Sequence, residues 1–590
     1  MGVNFHGNNM KKRWVIGERD IDLELRLSRE LSITPLVSRI LINRGIRDVT
    51  SANEFLNISP SNLLDPFLLN DMEKAVSRLI KAIHEKSRIL IYGDYDVDGV
   101  TASALYLEFF RRYRVDADLY IPDRIREGYS LNESAVQMAR SRNTTVILTA
   151  DCGTSSSRPV KLAQDLGIDV IVTDHHEPPA ELPEAYALIN PNRHDSIYPF
   201  KGLAGVGVAF KIVQAIYMTI SSSSGLNGLN GLNSSNGLDS FLDLVALGTI
   251  ADVAPLTGEN RYLVKRGLEL LTEGKRVGIK ALKEVAGVKR GDVTVGTVGF
   301  MLAPRINASG RLSSAEAAVK LLTTCDHEDA RHIADYLDRI NQERQKIESK
   351  IKNEIRTKIL NEVDIKNENV IVMASKDWHQ GVIGIVASKI VDEFYRPCIL
   401  ISLHEDGTGK GSARSIPGFN IFKGLEECND LLDKYGGHKY AAGLTIQGNN
   451  IPLLRDRLSS IVGNNLAEED FVPRIIMDAE IDIEDINFPL LKEMAILPPY
   501  GISNPEPVIV TRGLVVTEPR ILKGDHLKMK LKKGRAYFDS IGFSMATAYN
   551  GIINKSEKID IAYTPELNLW NGMYGIQLKL KDIRVSEEVN

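Results

Sequence analysis

Short apolar runs alternate with amphipathic stretches through the first half of the chain. Four of these runs are almost continuously apolar and are five or six residues long, which is typical of strands buried on both faces. They cover residues 87–92, 117–122, 146–150 and 169–173. Helical periodicity precedes the first run at 71–86, and helices are expected between the runs. This strand-helix order predicts a parallel, doubly wound α/β sheet.

Two stretches outside this block are predicted to be helical. Residues 21–62 are amphipathic, and residues 327–360 form a long, highly charged segment. In the second stretch the isoleucines at 347, 351, 355 and 359 give one narrow apolar stripe, which indicates a connector that packs on one side. Between the two lies 221–239, a low-complexity segment that we interpret as a flexible surface insertion without function.

The last part of the chain changes from mixed to β-rich patterning. A second α/β block is predicted over 368–465, and residues 476–483 alternate as a strand would. Residues 527–532 also alternate, which places Leu527, Met529 and Leu531 on an inner face and three lysines on the outer face. Short strands separated by turns predict a small barrel, for which an OB-fold is the expected topology.

Composition limits the class of protein. The 590 residues are 43% hydrophobic and 25% charged, as expected of a globular chain with several domains. There is no run of eighteen apolar residues and no signal-peptide pattern at the N-terminus, where Met10 is as good a start as Met1. The four cysteines are scattered, which favours a reduced, cytoplasmic protein. Because the net charge is -5, any nucleic-acid footprint must be local.

Polar residues with metal-binding chemistry follow three of the apolar strands and one apolar helix, 241–253. They are Asp94, Asp96 and Asp98, then Asp151, then Asp174, His175 and His176, and finally Asp252. Parallel strands bring their carboxyl ends to one edge, where open α/β sheets bind ligands. Carboxylate and imidazole ligands without cysteine suit Mn²⁺ or Mg²⁺ better than structural zinc. A carboxylate shared by two such ions is typical of a two-metal phosphoesterase. For the first loop alone, an acidic surface turn is the alternative.

Other segments are candidates for phosphate binding. We interpret 436–438, Gly-Gly-His, as a turn whose backbone N–H groups can approach an anion. Ser412 offers a hydroxyl and Arg414 a guanidinium group, both of which suit a terminal phosphate. Arg305 and Arg311 offer further cationic contacts. An arginine by itself is more often a solvated surface charge, and these arginines gain weight as phosphate contacts only together with a metal site.

The predicted barrel carries a concentration of positive charge against one nearby acid, Asp525. Its members are Arg520, Lys523, Lys528, Lys530, Lys532, Lys533 and Arg535. Such a face neutralises phosphates and binds nucleic acid without sequence preference. A solvated strand face is the alternative.

Taken together, the motifs resemble a known superfamily. Residues 93–99, 151–153, 174–176 and 248–252 resemble, in order, the four motifs of the DHH phosphoesterases, and 436–443 resembles the signature of the DHH-associated domain. Residues 305–311 and 378–388, with the C-terminal barrel, narrow the resemblance to the RecJ family of single-strand-specific exonucleases. The resemblance covers residues 30–590.

The resemblance implies an α/β protein with a parallel-sheet DHH domain, a long connecting helix, a smaller α/β DHH-associated domain and an OB-like β-barrel. The expected divisions are a helical N-terminal segment (1–62), the DHH domain (63–326, with the insertion 221–239), the connecting helix (327–362), the DHH-associated domain (363–466) and the nucleic-acid-binding barrel (470–590).

It also implies a 5′→3′ exonuclease that acts on single-stranded DNA in recombination and repair. The reaction would use two Mn²⁺ or Mg²⁺ ions and release 5′-mononucleotides by attack of metal-bound hydroxide. By match to family motifs, the metal ligands are Asp96, Asp98, Asp151, His175 and Asp252, with Asp151 shared between the ions. Single-stranded DNA is the expected partner, with a helicase and a single-strand-binding protein as further candidates.

Further site residues follow from the same resemblance. Asp94 and His176 match positions near the metals and the scissile phosphate. The positions that match the family's contacts to the 5′-terminal phosphate are Arg126, Ser412 and Arg414, and His438 falls in the substrate turn of the associated domain.

Two alternatives remain at this point. One is an oligoribonuclease or cyclic-dinucleotide phosphodiesterase of the same superfamily, against which the added barrel argues. The other is a catalytically inactive DNA-binding scaffold, which predicts that motif acids are lost, and none is lost here.

Overall fold

The computed structural model describes residues 12–124, 126–222, 235–288, 291–362, 364–365, 367–547, 558–570 and 573–586. The chain divides into two compact units, which we name from their order in the sequence. The inner unit comprises 54–344 and 498–505, and the outer unit falls within 1–53, 345–497 and 506–590. The possible start at Met10 and most of the 221–239 insertion lie outside the described residues.

The secondary structure is mixed. The strands are β1 (Arg13–Ile16), β2 (Ile89–Gly93), β3 (Ala117–Tyr120), β4 (Val146–Ala150), β5 (Asp169–Thr173), β6 (Ala187–Ile189), β7 (Ile371–Ser375), β8 (Cys398–Leu403), β9 (Thr408–Arg414), β10 (Leu432–His438), β11 (Ala441–Gln447), β12 (Arg474–Met477), β13 (Ala479–Glu480), β14 (Ile509–Leu522), β15 (His526–Lys533), β16 (Ala536–Gly542), β17 (Ile559–Trp570) and β18 (Met573–Val585).

The helices are α1 (Ile21–Leu31), α2 (Pro35–Asn43), α3 (Val49–Leu56), α4 (Met72–Glu85), α5 (Val97–Arg112), α6 (Glu133–Ser141), α7 (Ser157–Asp165), α8 (Gly205–Ser222), α9 (Ser235–Asp239), α10 (Leu242–Ala251), α11 (Gly258–Glu273), α12 (Val277–Val285), α13 (Val295–Thr297), α14 (Ala303–Leu312), α15 (Glu316–Thr323), α16 (His327–Glu362), α17 (Ile383–Phe394), α18 (Ile421–Glu426), α19 (Ile451–Asn465) and α20 (Phe488–Met494). No helix within the described ranges has the length and hydropathy needed to cross a membrane.

A parallel sheet with strand order β3-β2-β4-β5-β6 forms the centre of the inner unit. Ile89 and Ile91 of β2 pack into one hydrophobic cluster, and Leu90 and Tyr92 pack into another. Because successive residues of a strand point to opposite faces, these two clusters cover both sides of the sheet. The predicted doubly wound sheet is confirmed, and burial on both faces explains why its strands lack polar alternation.

Two helices bring apolar surface and functional residues to the same sheet. In α10, residues 242–250 are all buried, which matches its largely apolar sequence. Helix α5 begins directly after β2 and contacts both α8 and α10. The loop after β2 and the C-terminal end of α10 belong to one packed core.

The long charged stretch forms one helix, α16, as predicted. Ile351, Ile355 and Ile359 are at most 2% exposed, which confirms the narrow apolar stripe. The sequence of α16 passes from the inner unit into the outer unit after Arg344.

The outer unit contains a second sheet and a barrel. In the sheet, order β10-β11-β9-β8-β7, only β7 and β8 pair in parallel. The barrel runs β14-β15-β16-β18-β17 and closes by pairing β14 with β17, with the short β13 added at β14. Leu527, Met529 and Leu531 are at most 1% exposed, so their predicted inward orientation is confirmed. Both the predicted second α/β domain and the OB-like barrel are present.

Three local predictions are wrong. The segment expected to be helical up to residue 62 begins with a strand, β1, which pairs in parallel with β12. Residues 476–483 form no single strand, because Asp478 leaves the ladder and its buried carboxylate binds Arg44 at 2.8 Å. Residues 436–438 are no turn but the end of β10, paired with β11. In the first two cases a partner distant in sequence decides the local conformation, and in the third the pairing with the adjacent strand β11 does.

Candidate metal centre

Five side chains of the inner unit converge at the carboxyl edge of its parallel sheet. His175, which follows β5, places its Nε2 atom 3.2 Å from Asp151 Oδ1 and 3.7 Å from Asp98 Oδ2. The same nitrogen is 3.8 Å from Asp252 Oδ2 at the end of α10. Asp94, Asp96 and Asp151 form a further group, in which one carboxylate oxygen of each residue lies within 4.8 Å of the other two. The structure therefore brings all five predicted ligands into one cluster.

The first loop separates its aspartates by position. Asp96 caps α5, since its Oδ1 accepts hydrogen bonds from the backbone N–H groups of Asp98 (2.9 Å) and Gly99 (3.1 Å). Asp98 lies within the first turn of α5 and is 1% exposed. The sequence alone did not distinguish these environments.

The N-terminus of α8 holds the carboxylate of Asp98. The backbone N–H groups of Gly205 and Val206 donate to its two oxygens at 2.6 and 2.8 Å. A Cβ atom at Gly205 would lie 2.5 Å from Asp151 Oδ1, so only glycine allows this close approach. Sequence reasoning missed Gly205, because no local pattern links it to residues 98 and 151.

Asp151 sits in a constrained backbone conformation. Its φ is 66°, a left-handed value that is uncommon for a residue other than glycine. Its N–H donates to Thr173 O at 3.0 Å, and Cys152 bridges to Thr173, so the adjacent ends of β4 and β5 hold the loop. Such strain occurs mainly at functional sites and requires a surrounding structure that enforces it.

Asp174 orders the two histidines without joining the cluster itself. Its Oδ1 accepts from the His175 N–H at 2.8 Å and contacts His176 Nδ1 at 2.7 Å, while Oδ2 accepts from Thr154 N–H. Burial acts to raise the pKa of Asp174. The hydrogen bond to the His176 side chain and the charge of that imidazole outweigh burial, and the pKa is lowered. Conversely, burial acts to lower the pKa of His176, and the Asp174 carboxylate raises it to about 9.

In the metal-free protein, the fold opposes the charged forms of Asp94, Asp98, Asp151, His175 and Asp252. Burial, and then the charge of Asp252, raises the pKa of Asp98 to about 7. Burial, and then the charge of Asp96, raises the pKa of Asp252 to about 7 and raises that of Asp94 as well. The pKa of Asp151 is raised by burial and by Asp98, while burial lowers the pKa of His175.

This donor set fits divalent cations. Asp94 Oδ1, Asp151 Oδ1 and His175 Nε2 are buried atoms without a hydrogen-bond partner in the described part of the chain. Buried polar atoms normally have hydrogen-bond partners, so three partnerless atoms at one place indicate a site for a cation. Oxygen and imidazole donors without a thiolate match Mn²⁺ or Mg²⁺. Asp151 belongs to two of the three potential ligand groups, as a shared carboxylate would.

Two further residues beside the cluster were not singled out from the sequence. The Tyr129 hydroxyl lies 2.9 Å from His176 Nδ1, and its ring packs edge-on against that histidine. The guanidinium of Arg124 lies 5.0 Å from the ring centroid of Tyr95, and its charge acts to lower the pKa of Asp94 against the stronger effect of burial. Both flank Arg126 in an Arg-x-Arg-x-x-Tyr stretch, from which the sequence analysis selected Arg126 alone.

The predicted phosphate contacts in the inner unit have different environments. Arg126 is exposed, and its backbone N–H bonds the Asp123 carboxylate at 2.9 Å. Arg305 forms an ion pair with Asp338 at 2.8 Å and donates to Met301 O, so its charge is already engaged within the fold. Arg311 is partly buried near the C-terminal end of α14.

In the outer unit, Ser412 and Arg414 lie side by side on β9. Arg414 donates to the hydroxyls of Ser412 and Ser388, each at 3.1 Å. A Cβ atom at Gly384, in the first turn of α17, would lie 2.9 Å from Ser412 Oγ. A helix N-terminus, a hydroxyl and a guanidinium thus meet, a combination that suits a phosphate. His438 is exposed at the end of β10.

Some of the barrel lysines form ion pairs within the fold, so the lysines are not equally available to bind phosphate. Lys528, Lys530 and Lys532 point away from the barrel interior, as predicted. Lys530 pairs with Glu518 at 2.9 Å, and Lys533 pairs with Asp482 at 3.1 Å. The expectation of a single neighbouring acid is therefore wrong, because the fold adds acids from β14 and from before α20.

Three family models match the chain. The DHH family N-terminal domain matches residues 88–249, the DHHA1 domain matches 367–464, and the RecJ OB domain matches 477–582. The matched segments contain the clustered side chains except Asp252, the Ser412–Arg414 pair and most of the barrel, respectively.

Relatives and solved structures agree with these matches. The chain is 41% identical to the single-stranded-DNA-specific exonuclease RecJ of Bacillus subtilis, covering 98% of this chain and 71% of the relative. It is 35% identical to the Escherichia coli exonuclease of the same name, over 97% of this chain and 100% of that relative. The crystal structure of RecJ in complex with Mn²⁺ from Thermus thermophilus aligns with a TM-score of 0.79 at 28% identity, over 98% of this chain and 80% of that one. The corresponding Mg²⁺ complex aligns with a TM-score of 0.74. The chain therefore belongs to the RecJ family of single-stranded-DNA-specific exonucleases.

Proposed function

We propose that this protein is an exonuclease that hydrolyses single-stranded DNA from the 5′ end, releases 5′-mononucleotides, and uses two Mn²⁺ or Mg²⁺ ions in DNA recombination and repair. The observation that carries the proposal is the convergence of carboxylate and imidazole ligands with partnerless buried atoms, on a chain 41% identical to a named exonuclease of this specificity. Neither the phosphodiesterase nor the inactive-scaffold alternative is favoured by a comparable observation.

The metal ligands in this proposal are Asp96, Asp98, Asp151, His175 and Asp252. When bound, two divalent ions lower the pKa of an attacking water and offset negative charge on the scissile phosphate. The chain's own contribution is to fix the ligands before substrate arrives. Gly205 and Val206 orient Asp98, and Asp174 orients His175 through its backbone N–H.

His176 is proposed to act directly on the substrate. Its Nδ1 atom faces Asp174 and Tyr129, so Nε2 is the nitrogen left for substrate. With its pKa raised to about 9, the metal-free protein holds His176 protonated at neutral pH. An imidazolium so placed can donate a charge-assisted hydrogen bond to a phosphate oxygen. Asp94, buried beside the cluster, is proposed to support this arrangement.

The 5′→3′ direction of digestion depends on recognition of the 5′-terminal phosphate. We propose that Ser412, Arg414 and Arg126 contact the 5′-phosphate, with Arg305, Arg311 and His438 as further substrate contacts. The hydroxyl and guanidinium beside the first turn of α17 support the first pair. Arg305 is the weakest member, since Asp338 already engages it.

The environment of the substrate suggests partners. An enzyme restricted to unpaired DNA requires a source of it, so we propose a helicase and a single-strand-binding protein as functional partners. Four cysteines without a disulfide are consistent with the reducing compartment in which such DNA is found, the cytoplasm.

Digestion of end-labelled strands tests the proposed function. With Mn²⁺ or Mg²⁺, a 5′-labelled single strand should release labelled mononucleotide at the earliest times, whereas a 3′-labelled strand should shorten progressively. A blunt duplex serves as the control and should stay intact. Early release of labelled mononucleotide from the 3′-labelled strand would contradict the polarity.

Metal affinity should depend steeply on pH. Asp98 and Asp252 have pKa values raised to about 7, so below pH 7 a metal must displace their protons. Two such protons predict a loss of apparent Mn²⁺ affinity of about 100-fold from pH 8 to pH 6. Calorimetric titration at pH 6, 7 and 8 measures it.

Asp98 and Asp252 also predict how the folding stability changes with pH. Because their folded pKa values are raised, the stability they contribute without metal is complete below about pH 4 and is lost as pH rises through 7. Mn²⁺ should therefore raise the melting temperature more at pH 8 than at pH 6. An affinity that is independent of pH would contradict this account.

A further inference from the structure

The segment that follows β6 lies directly against the two histidines of the metal cluster. Strand β6 pairs in parallel with β5 as far as Ile189 and Thr173, and the Asp174 N–H continues the ladder by donating to Ile189 O at 3.1 Å. Beyond that point the ladder ends, because residues 174–176 and 190–192 are not strand. The backbone carbonyls of the two histidines therefore need other partners.

Two asparagine side chains supply these partners. The side-chain amide of Asn192 donates to His175 O at 2.6 Å, and that of Asn190 donates to His176 O at 2.8 Å. The amides take the place of a neighbouring strand where the ladder has ended. They fix the backbone at both histidines, and with it the points from which the two imidazole rings project.

The remaining contacts of Asn190 set the orientation of its amide. Its Oδ1 accepts from the Asn192 N–H at 2.8 Å, and its Nδ2 also donates to the Thr154 hydroxyl at 3.1 Å. A carbonyl can only accept, so the amide nitrogen must face His176 O. Asn190 is 0% exposed, and a buried amide that is bonded at both ends stiffens the groups around it.

Thr154 extends this contact to the loop after β4. It lies shortly after Asp151 in that loop and is buried. Its N–H donates to Asp174 Oδ2 at 3.0 Å, while its hydroxyl accepts from Asn190. Asn190 thus joins the loop of the shared carboxylate to the loop of the histidines, and both loops depend on the segment after β6.

We propose that Asn192 and Asn190 are positioning residues with separate tasks. Asn192 holds His175 where its Nε2 meets the carboxylates, 3.2 Å from Asp151 Oδ1. Asn190 holds His176 where its Nε2 is directed to the substrate phosphate. The inference rests on the proposed function, which assigns the first histidine to metal and the second to substrate, and it deepens that function by naming the residues that keep the two roles apart.

Calorimetric titration with Mn²⁺ tests the first task. Asn192→Ala should lower the apparent Mn²⁺ affinity by about 10- to 100-fold, which is the usual effect of removing a partner that holds a metal ligand in place. Its rate of single-strand cleavage should return to that of the unchanged protein once Mn²⁺ is saturating. Melting curves of the metal-free protein check that the fold is kept.

The second task is read from kcat with both Mn²⁺ and the strand at saturation. Asn190→Ala should lower kcat by about 10- to 100-fold under these conditions, because a misplacement of about 1 Å costs up to 10²-fold and metal cannot restore it. Since Asn190 also orients Asn192, this variant should lose Mn²⁺ affinity as well. Asn190→Leu, which is similar in shape, gives the same reading if the alanine variant does not fold.

Asn369 provides a matched control in the outer unit. It is half-buried, as Asn192 is, and its side-chain amide donates to one backbone carbonyl, Ser459 O, at 3.1 Å. Asn369→Ala removes the same kind of bond from the unit that does not contain the metal cluster. Its Mn²⁺ affinity and its kcat should both equal those of the unchanged protein.

The proposal is overturned if Asn192→Ala binds Mn²⁺ within about twofold of the unchanged protein, or if Asn190→Ala reaches full kcat at saturating Mn²⁺. Failure of the proposed function is seen differently, as absence of cleavage by the unchanged protein with metal, and the task assigned to Asn190 would fall with it. The task of Asn192 is decided by the titration, which needs no substrate.

Discussion

Replacing Asp151 with Asn should lower the rate of single-strand cleavage by at least about 10³-fold and leave strand binding in chelator nearly unchanged. Asp151 is the carboxylate common to two of the three ligand groups, so its loss affects both proposed ions. A thousandfold effect corresponds to about 4 kcal/mol of transition-state stabilisation, which is within the range that a metal ion supplies.

The choice of Asn follows from the backbone. Asp151 has a φ of 66°, which Asn adopts readily and Ala does not, so Asp151→Asn separates loss of charge from strain. Asp165→Ala, at the exposed end of α7, removes a surface carboxylate and should keep full activity. Cleavage by Asp151→Asn within tenfold of the unchanged protein would refute the shared-carboxylate role.

Replacing Lys211 with Met should destabilise the inner unit by about 3–5 kcal/mol. Lys211 and Glu259 form an ion pair at 2.7 Å, and both side chains are 0% exposed. Glu259 also accepts from the Leu64 N–H at 2.8 Å and from the Tyr198 hydroxyl. Removal of the lysine leaves a buried carboxylate without a counter-charge, which is the costly way to break such a pair.

Calorimetry of the metal-free protein measures this effect as a melting transition lowered by roughly 10 °C. Tryptophan fluorescence serves as a control, because Trp14, Trp378 and Trp570 all belong to the outer unit and do not report on the inner one. The double variant with Glu259→Gln should recover part of the loss, because it removes the unpaired charge. A single variant as stable as the unchanged protein would show that the pair is dispensable.

The convergence of the proposed metal ligands could be predicted because their positions follow from local pattern. Each lies within five residues after an apolar strand or at the end of an apolar helix, and parallel strands must bring such ends together. The alternation of Leu527, Met529 and Leu531 was equally sufficient for the barrel. The family motifs added the assignment of roles, which spacing alone left open.

What surrounds the ligands could not be predicted, because it depends on residues far apart in the sequence. Gly205 donates to Asp98 across 107 residues, and elsewhere in the fold β1 pairs with β12, which is far from it in the sequence. Arg305 looked available for substrate until the fold placed Asp338 against it. No local periodicity records such pairs.

The sequence by itself thus determined the fold class and the edge of the sheet at which the acidic and histidine side chains meet, and the family motifs supplied the proposed ligands. Burial periodicity and strand order are local properties, and they suffice for those conclusions. The tertiary structure decided which carboxylates are held by backbone N–H groups, which pKa values rise, and which cations remain available. Those depend on desolvation and on distances of a few ångströms between groups that only the completed fold brings together.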